Sequence, residues 1–362
     1  MKYSINTLMM KFAILFGPLL AFFTNTLFSG TGISNAIILV CFLCLFILFW
    51  TEQFVIILLL CLTISLIFLL TDLQSLSARD ISAAISISIL VTILISPLQI
   101  QKIRRNKQTI TNSINFLFYI SLCLFVVEYL AALQQRTFTK CSLLPRASAP
   151  LRSDFIFGDI AGCAYDPNNA GMLLVLFGIA ASGSIIKFRN YLLVSVASGS
   201  RAVIISGFFG LTWSNKILMI FGSLIIALLF APLIPEAILS RFDFAGKIEQ
   251  SGIERIQVML GAFEQIELFA TPDHLWVRSE GQQSFKSNYN LFLSLSLMFG
   301  IIYCALVIGV MFLSVIIGRI SASISVIIFI SGMTAEYLFN FFIVFGVALV
   351  VLRAQSDRVN FD

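Results

Sequence analysis

Charge is what this chain has least of. Only 11% of its 362 residues are Asp, Glu, Lys or Arg, where a soluble domain carries about 25%, so a water-facing surface along most of the chain is excluded. Histidine is scarcer still. There is one, His274, which rules out a metal site built from several imidazoles. No Walker-type glycine loop, no HExxH and no GxSxG is present, so nucleotide hydrolysis, zinc peptidase and serine hydrolase chemistry lack their usual framework. The apolar runs do not alternate, which excludes a transmembrane β-barrel. Convincing internal repeats and a soluble domain of appreciable size are absent too.

What the chain has instead is hydrocarbon: 59% hydrophobic residues and a mean hydropathy of +0.99. Runs such as "NAIILVCFLCLFILFW" (35–50) and "FVIILLLCLTISLIFLL" (54–70) approach the roughly 20 apolar residues that cross a bilayer. The expected fold is all-α, a polytopic integral membrane protein of about twelve segments. The segments are read at 8–28, 32–50, 53–70, 81–97, 114–133, 167–186, 190–200, 201–213, 217–235, 287–316, 320–333 and 335–352. The first is too long for a signal-peptide core and is read as retained. Cys41, Cys44, Cys61, Cys123 and Cys304 lie inside apolar runs and read as packing residues. Cys41 and Cys44 have CxxC spacing but no second pair, a weak metal signal.

The net charge of +5 fits membrane topology better than nucleic-acid binding. With Lys2 and Lys11 inside, "QKIRRNKQ" (101–108) is an inside loop after four spans, and "KFRN" (187–190) is also inside. One crossing over 190–213 would leave Lys216, Arg319, Arg353 and Arg358 outside; a chain that breaks at "SGSR" and returns puts all four inside, as the positive-inside rule favours. Broken membrane helices occur where they line a protein-buried or watery cavity. The organisation is then N-terminal membrane helices over 1–133, an external segment 134–166, and core helices 167–235 with a broken pair at 198–202. A large external loop follows at 236–286, then C-terminal helices and a cytoplasmic tail over 287–362. Within that loop, Ile253, Ile256, Met259, Leu260, Phe263 and Ile266 recur at the spacing of an amphipathic helix.

Arg201 stands in an apolar, small-residue stretch, "VSVASGSRAVIISG" (194–207), with no acidic residue between it and Asp166. An arginine in hydrocarbon costs about 2.5 kcal/mol or more. Its planar fork of donors suits phosphate oxygens, and Arg255 in the covering helix would be a second such group. The plainer readings are snorkelling or a distant carboxylate for Arg201 and a solvated charge for Arg255. In "YDPNNAG" (165–171), Asp166 can cap and Pro167 can begin a helix, while Asp166, Asn168 and Asn169 could also hold sugar hydroxyls. Tyr289 and Asn290 stand where the chain re-enters the membrane, a common place for an interfacial tyrosine.

In this order, "YDPNNAG", "SGSRA", "GIERIQVM" and "NYNLFL" running into "LMFG" resemble the O-antigen ligase and Wzy-type polysaccharide polymerase superfamily, over about 165–300. The resemblance implies a bacterial inner-membrane glycosyltransferase with both termini cytoplasmic. It would use undecaprenyl-diphosphate-linked glycan as donor and acceptor, with no metal or other cofactor. Arg201 and Arg255 would bind the donor diphosphate and stabilise the leaving group; Asp166, Asn168, Asn169, Tyr289 and Asn290 would contact substrate. A chain-length regulator and a flippase are the implied protein partners, with no nucleic acid. Ligases of this superfamily carry His-Asn where this chain has Tyr289-Asn290, which favours polymerase over ligase and leaves the general base open among Glu254, His274, Asp273, Glu280 and Asp166. Cys141 and Cys163, facing an oxidising periplasm, are either a disulfide or two free thiols. Transport is the competing class, since broken helices are common in transporters; against it stand the lack of an inverted repeat and few in-span acids, Glu128 and Glu336.

Overall fold

The computed structural model describes residues 5–21, 33–69, 78–133, 167–183, 187–198, 201–209, 211, 214–218, 220, 260, 266, 268–269, 291–332 and 341–358. Among them the regular structure is helical, and the one pairing of extended backbone is an isolated bridge between Trp50 and Leu98. The all-α expectation holds.

Helix α1 (Ile5–Lys11) runs into a π-helical turn over Phe12–Phe16. Helices α2 (Ile33–Phe49) and α3 (Gln53–Leu69) contain no charged residue. Next come α4 (Ala78–Ile95) and α5 (Ile100–Leu133). Pro97, which has no N–H to continue a helix and disfavours helical backbone before it, follows the end of α4. The turn there is tied to the α2–α3 turn: Gln99 N donates to Phe49 O at 2.7 Å, Thr51 N to Pro97 O at 3.3 Å, and the Gln99 side chain to Trp50 O at 2.5 Å. The stretch 101–108, expected as a loop, is instead the start of the 34-residue α5. Lys, Arg and Gln are good helix formers, and the apolar positions Ile103 and Ile110 are fully buried, so the polar run helps anchor the helix.

Helices α6 (Pro167–Ser182), α7 (Phe188–Ser198) and α8 (Arg201–Phe209) follow, then α9 (Leu291–Phe299), α10 (Ile301–Ile316), α11 (Ala322–Gly332) and α12 (Phe341–Arg358). The single span expected over 287–316 is two helices. Gly300 has φ 86° and ψ 160°, a backbone region essentially reserved for glycine. The thiol of Cys304 reaches Phe292 O at 3.5 Å; twelve residues of continuous helix would separate them by about 18 Å. So α9 folds back on α10. The C-terminal stretch read as a tail is helical through Arg358, with Ala354, Gln355 and Ser356 buried.

At the centre lie α6 and α12. Every residue from Phe341 to Leu352 whose side chain is apolar is buried, and so are Met172–Phe177, Ile179 and Ala180. A helix apolar and covered on all sides sits inside the fold. Around α12 are packed α6, α2, α4 and α5. Gly346 is the point of closest approach: a Cβ there would lie 3.0 and 3.1 Å from Leu176 side-chain atoms.

The outer surface is also hydrocarbon. Val55, Ile56, Leu59, Leu60 and Ile67 on α3 are each more than half exposed, as are Leu43 and Ile47 on α2 and Leu306, Phe312 and Ile316 on α10. Among the described residues no helix is long and apolar enough to cross a membrane; α2 and α3, of 17 residues each, measure about 25 Å at 1.5 Å per residue.

Gly346→Val should lower the thermal unfolding midpoint of the purified protein, at an overpacking cost of about 1–3 kcal/mol, with Gly346→Ala losing less. Equal midpoints for wild type and both variants would mean that α6 and α12 are not in this contact.

Candidate functional site

Two helix starts come to the same end of the bundle. Proline is favoured as a first helical residue because the N–H it lacks would be unpaired there anyway, and Pro167 begins α6, putting Asn168 and Asn169 in its first turn. Arg201 begins α8. The Asn190 amide donates to Ser182 Oγ at 2.9 Å, so the end of α6 meets the start of α7. The Tyr191 hydroxyl donates to Ile204 O at 2.8 Å, and a Cβ on Gly207 would lie 2.7 Å from the Tyr191 ring. In one straight helix Tyr191 and Gly207 would be about 24 Å apart, so α7 and α8 fold back on each other. Both α6 and α8 are therefore antiparallel to α7 and parallel to each other. A Gly207 Cβ would also touch Val175 at 3.9 Å. From that level Pro167 is about 12 Å back along its helix and Arg201 about 9 Å, so the two starts lie at similar depth.

The backbone thus sets Asn168, Asn169 and Arg201 at one end of α6–α8. Asp166, Glu254, Arg255, Asp273, His274, Glu280, Tyr289, Asn290, Cys141 and Cys163 lie outside the described residues. Helix α9 starts at Leu291, next in the chain to Asn290.

The opposite end is basic. Arg353 Nη1 lies 2.9 Å from Asp357 Oδ1 and donates to Thr111 Oγ1 at 2.8 Å and Ser356 Oγ at 3.1 Å. Lys107 reaches the same carboxylate at 3.8 Å, tying α5 to α12. Gly183, just past α6, lies against Asp357. Gln355 donates to Gly318 O at 2.9 Å, which brings the neighbouring Arg319 to this end, and Arg189 hydrogen-bonds the Tyr119 hydroxyl. Lys102, Arg104 and Arg105 are exposed on the first turns of α5.

Between these ends is a feature that the sequence reading passed over. Ser65 Oγ lies 2.9 Å from Ser88 Oγ and 2.6 Å from Tyr303 Oη, all buried. Ser65 also contacts Cys61 O at 2.8 Å, and Ser88 contacts Ala84 O at 2.7 Å. Three hydroxyl protons serve four contacts, since each hydroxyl donates once. The cluster joins α3, α4 and α10. A signal was available: Ser88 and Thr92 lie four residues apart along one side of α4, Ser96 follows at the same spacing just past its end, and all are buried.

No protein-family model, no curated protein and no solved structure matches this chain.

Two outcomes follow from this geometry. Tyr303→Phe and Ser65→Ala should be coupled in a double-mutant cycle of thermal unfolding by about 0.6–1.7 kcal/mol; strict additivity would mean that the hydroxyls do not meet. Gly300→Ala should destabilise by about 1–3 kcal/mol, because its Cβ would lie 2.7 Å from Phe269 Cα besides straining the backbone. A wild-type unfolding midpoint for Gly300→Ala would count against the fold-back at this residue.

Proposed function

We propose that this chain is a polytopic protein of a bacterial inner membrane that polymerises undecaprenyl-diphosphate-linked repeat units into O-antigen or a related surface glycan at the periplasmic face. Support for the membrane part comes from the distribution of polarity. Leucines, isoleucines and phenylalanines face outward on α2, α3 and α10, while Ser65, Ser86, Ser88, Thr92, Ser294 and Ser314 are buried. A water-soluble bundle would not carry so many apolar side chains on its outer faces, because apolar area exposed to water costs about 25 cal/mol per Å². The grouping of Lys107, Arg353, Arg319 and the start of α5 at one end suits a cytoplasmic face.

The observation that carries the catalytic part is the shared level of the α6 and α8 starts at the end away from those cations. On this reading Arg201, with Arg255 from the external loop, holds the donor diphosphate and stabilises the negative charge that develops as the glycosidic bond breaks. Asn168 and Asn169 hydrogen-bond sugar hydroxyls. The acceptor hydroxyl surrenders its proton to a carboxylate or to His274. The order of the four sequence segments supplies the substrate class.

The test is the ladder of surface glycan in cells lacking the protein, complemented with wild type or Arg201→Ala, alongside a carbonate wash of the membranes. The expected result is protein retained in the washed membrane and glycan capped with a single repeat unit, restored to long chains by wild type and not by Arg201→Ala. Long polymer stranded on the carrier lipid would make the protein a ligase. An unchanged ladder would defeat the glycosyltransferase reading and favour transport.

A further inference from the structure

A cleft at the basic end lies far from the proposed glycan site. Asn6, Met9 and Met10 of α1 form one wall, spaced three and four residues apart and so on one helix face. Lys102, Arg105 and Asn106 form the facing wall with the same spacing on α5, and the last turn of α2, Ile47 to Phe49, makes the floor. The space is about 290 Å³, just below the roughly 300–1,000 Å³ typical of ligand pockets. That suits a head group rather than a whole lipid.

Its chemistry is divided. Lys102 and Arg105 are exposed and have no acidic partner among the described residues, in contrast to Lys107 and Arg353, which share Asp357. The Asn6 amide adds donors beside the two cations, while the Asn106 amide donates to Lys102 O at 2.9 Å within its own helix. Away from the cleft, Val40, Leu43 and Ile47 form an exposed stripe at helical spacing along α2, and Ile47 is both the end of that stripe and part of the cleft. Ile5 and Leu8 of α1 are exposed as well. A ligand that fits has a phosphate at one end and hydrocarbon at the other.

We propose that this cleft binds the phosphate head group of an anionic phospholipid, with Lys102 and Arg105 on the phosphate and an acyl chain laid along Val40, Leu43 and Ile47. The proposal rests on the membrane reading but not on glycosyltransfer. Basic pockets between membrane helices on the cytoplasmic side are suited to such head groups, where each cation contributes about 1 kcal/mol of attraction. Inorganic phosphate offers the same anion without the chain, and the hydrocarbon stripe decides for the lipid.

The full-length protein, solubilised from carbonate-washed membranes, is titrated with phosphatidylglycerol, phosphatidylcholine and inorganic phosphate, with bound lipid counted by native mass spectrometry. Wild type should retain phosphatidylglycerol in preference to phosphatidylcholine. Lys102→Gln with Arg105→Gln should weaken that binding by about 25-fold, a factor of about five for each cation. Lys102→Arg with Arg105→Lys, which keeps both charges, should retain most of it, and Lys187→Gln, a cation outside the cleft, should leave it unchanged. If the Gln variant does not fold, the comparison of the two lipids and phosphate on wild type stands by itself. Equal retention of both lipids, binding unaffected by the Gln pair, or competition by inorganic phosphate at concentrations equal to the lipid would overturn the assignment. Loss of the protein in the carbonate wash would defeat the membrane reading first, and this proposal with it.

Discussion

The contact of α12 with α6 is the constraint around which the other helices are arranged. Gly346 allows the two backbones to approach so closely that Leu176 and Leu173 occupy the space of its missing side chain. With α12 apolar on every side from Phe341 to Leu352, α2, α4 and α5 cover its remaining faces. The same helix ends in Arg353 and Asp357, so its position also fixes where the α5 cations gather. Helix α6 in turn sets α7 through Ser182 and Asn190, and α7 sets α8 through Tyr191. The position of Arg201 is the last link in this chain of contacts.

Apolar side chains fill the core and also cover the outer faces of α2, α3 and α10, while a set of hydroxyls is buried between helices. On the proposed membrane reading, burying a leucine against another helix brings no hydrophobic gain, and association depends on packing and interhelical hydrogen bonds. Close approach at Gly346 and the Ser65–Ser88–Tyr303 cluster are features of those two kinds. An unpaired hydroxyl in hydrocarbon is costly, so hydroxyls that meet across three helices also specify which helices are neighbours. Ser65 and Tyr303 are 238 residues apart in the chain, and their contact holds the N-terminal and C-terminal parts together.

The two proposed sites divide the molecule by charge chemistry. At the basic end most cations are engaged: Arg353 and Lys107 with Asp357, Arg189 with Tyr119. Lys102 and Arg105 face a cleft instead. At the other end Arg201 opens a helix in a stretch without nearby acidic residues. On the two proposals, a phosphate-bearing amphiphile is held at one end for catalysis and at the other for anchoring.

Local pattern by itself determined the helical class and most helix limits. The span read at 32–50 is α2 at 33–49, that at 53–70 is α3 at 53–69, and the break before Arg201 separates α7 from α8. Such features are legible because an apolar run, a proline such as Pro97 or a Gly-Ser pair acts through its immediate neighbours. The candidate site was legible only as residue types in order: Arg201 and Asn168 could be named, but not the shared level of their helices, which needs the contacts of Tyr191 and Gly207. Tertiary structure alone decided that 101–108 is helix, that the chain folds back at Gly300, and that Ser65 meets Tyr303. A lone glycine in an apolar run is compatible with an unbroken helix; what requires glycine at 300 is its positive φ and the backbone of Leu268 and Phe269 lying against it. That contact comes from a segment more than thirty residues away, and no local signal carries it.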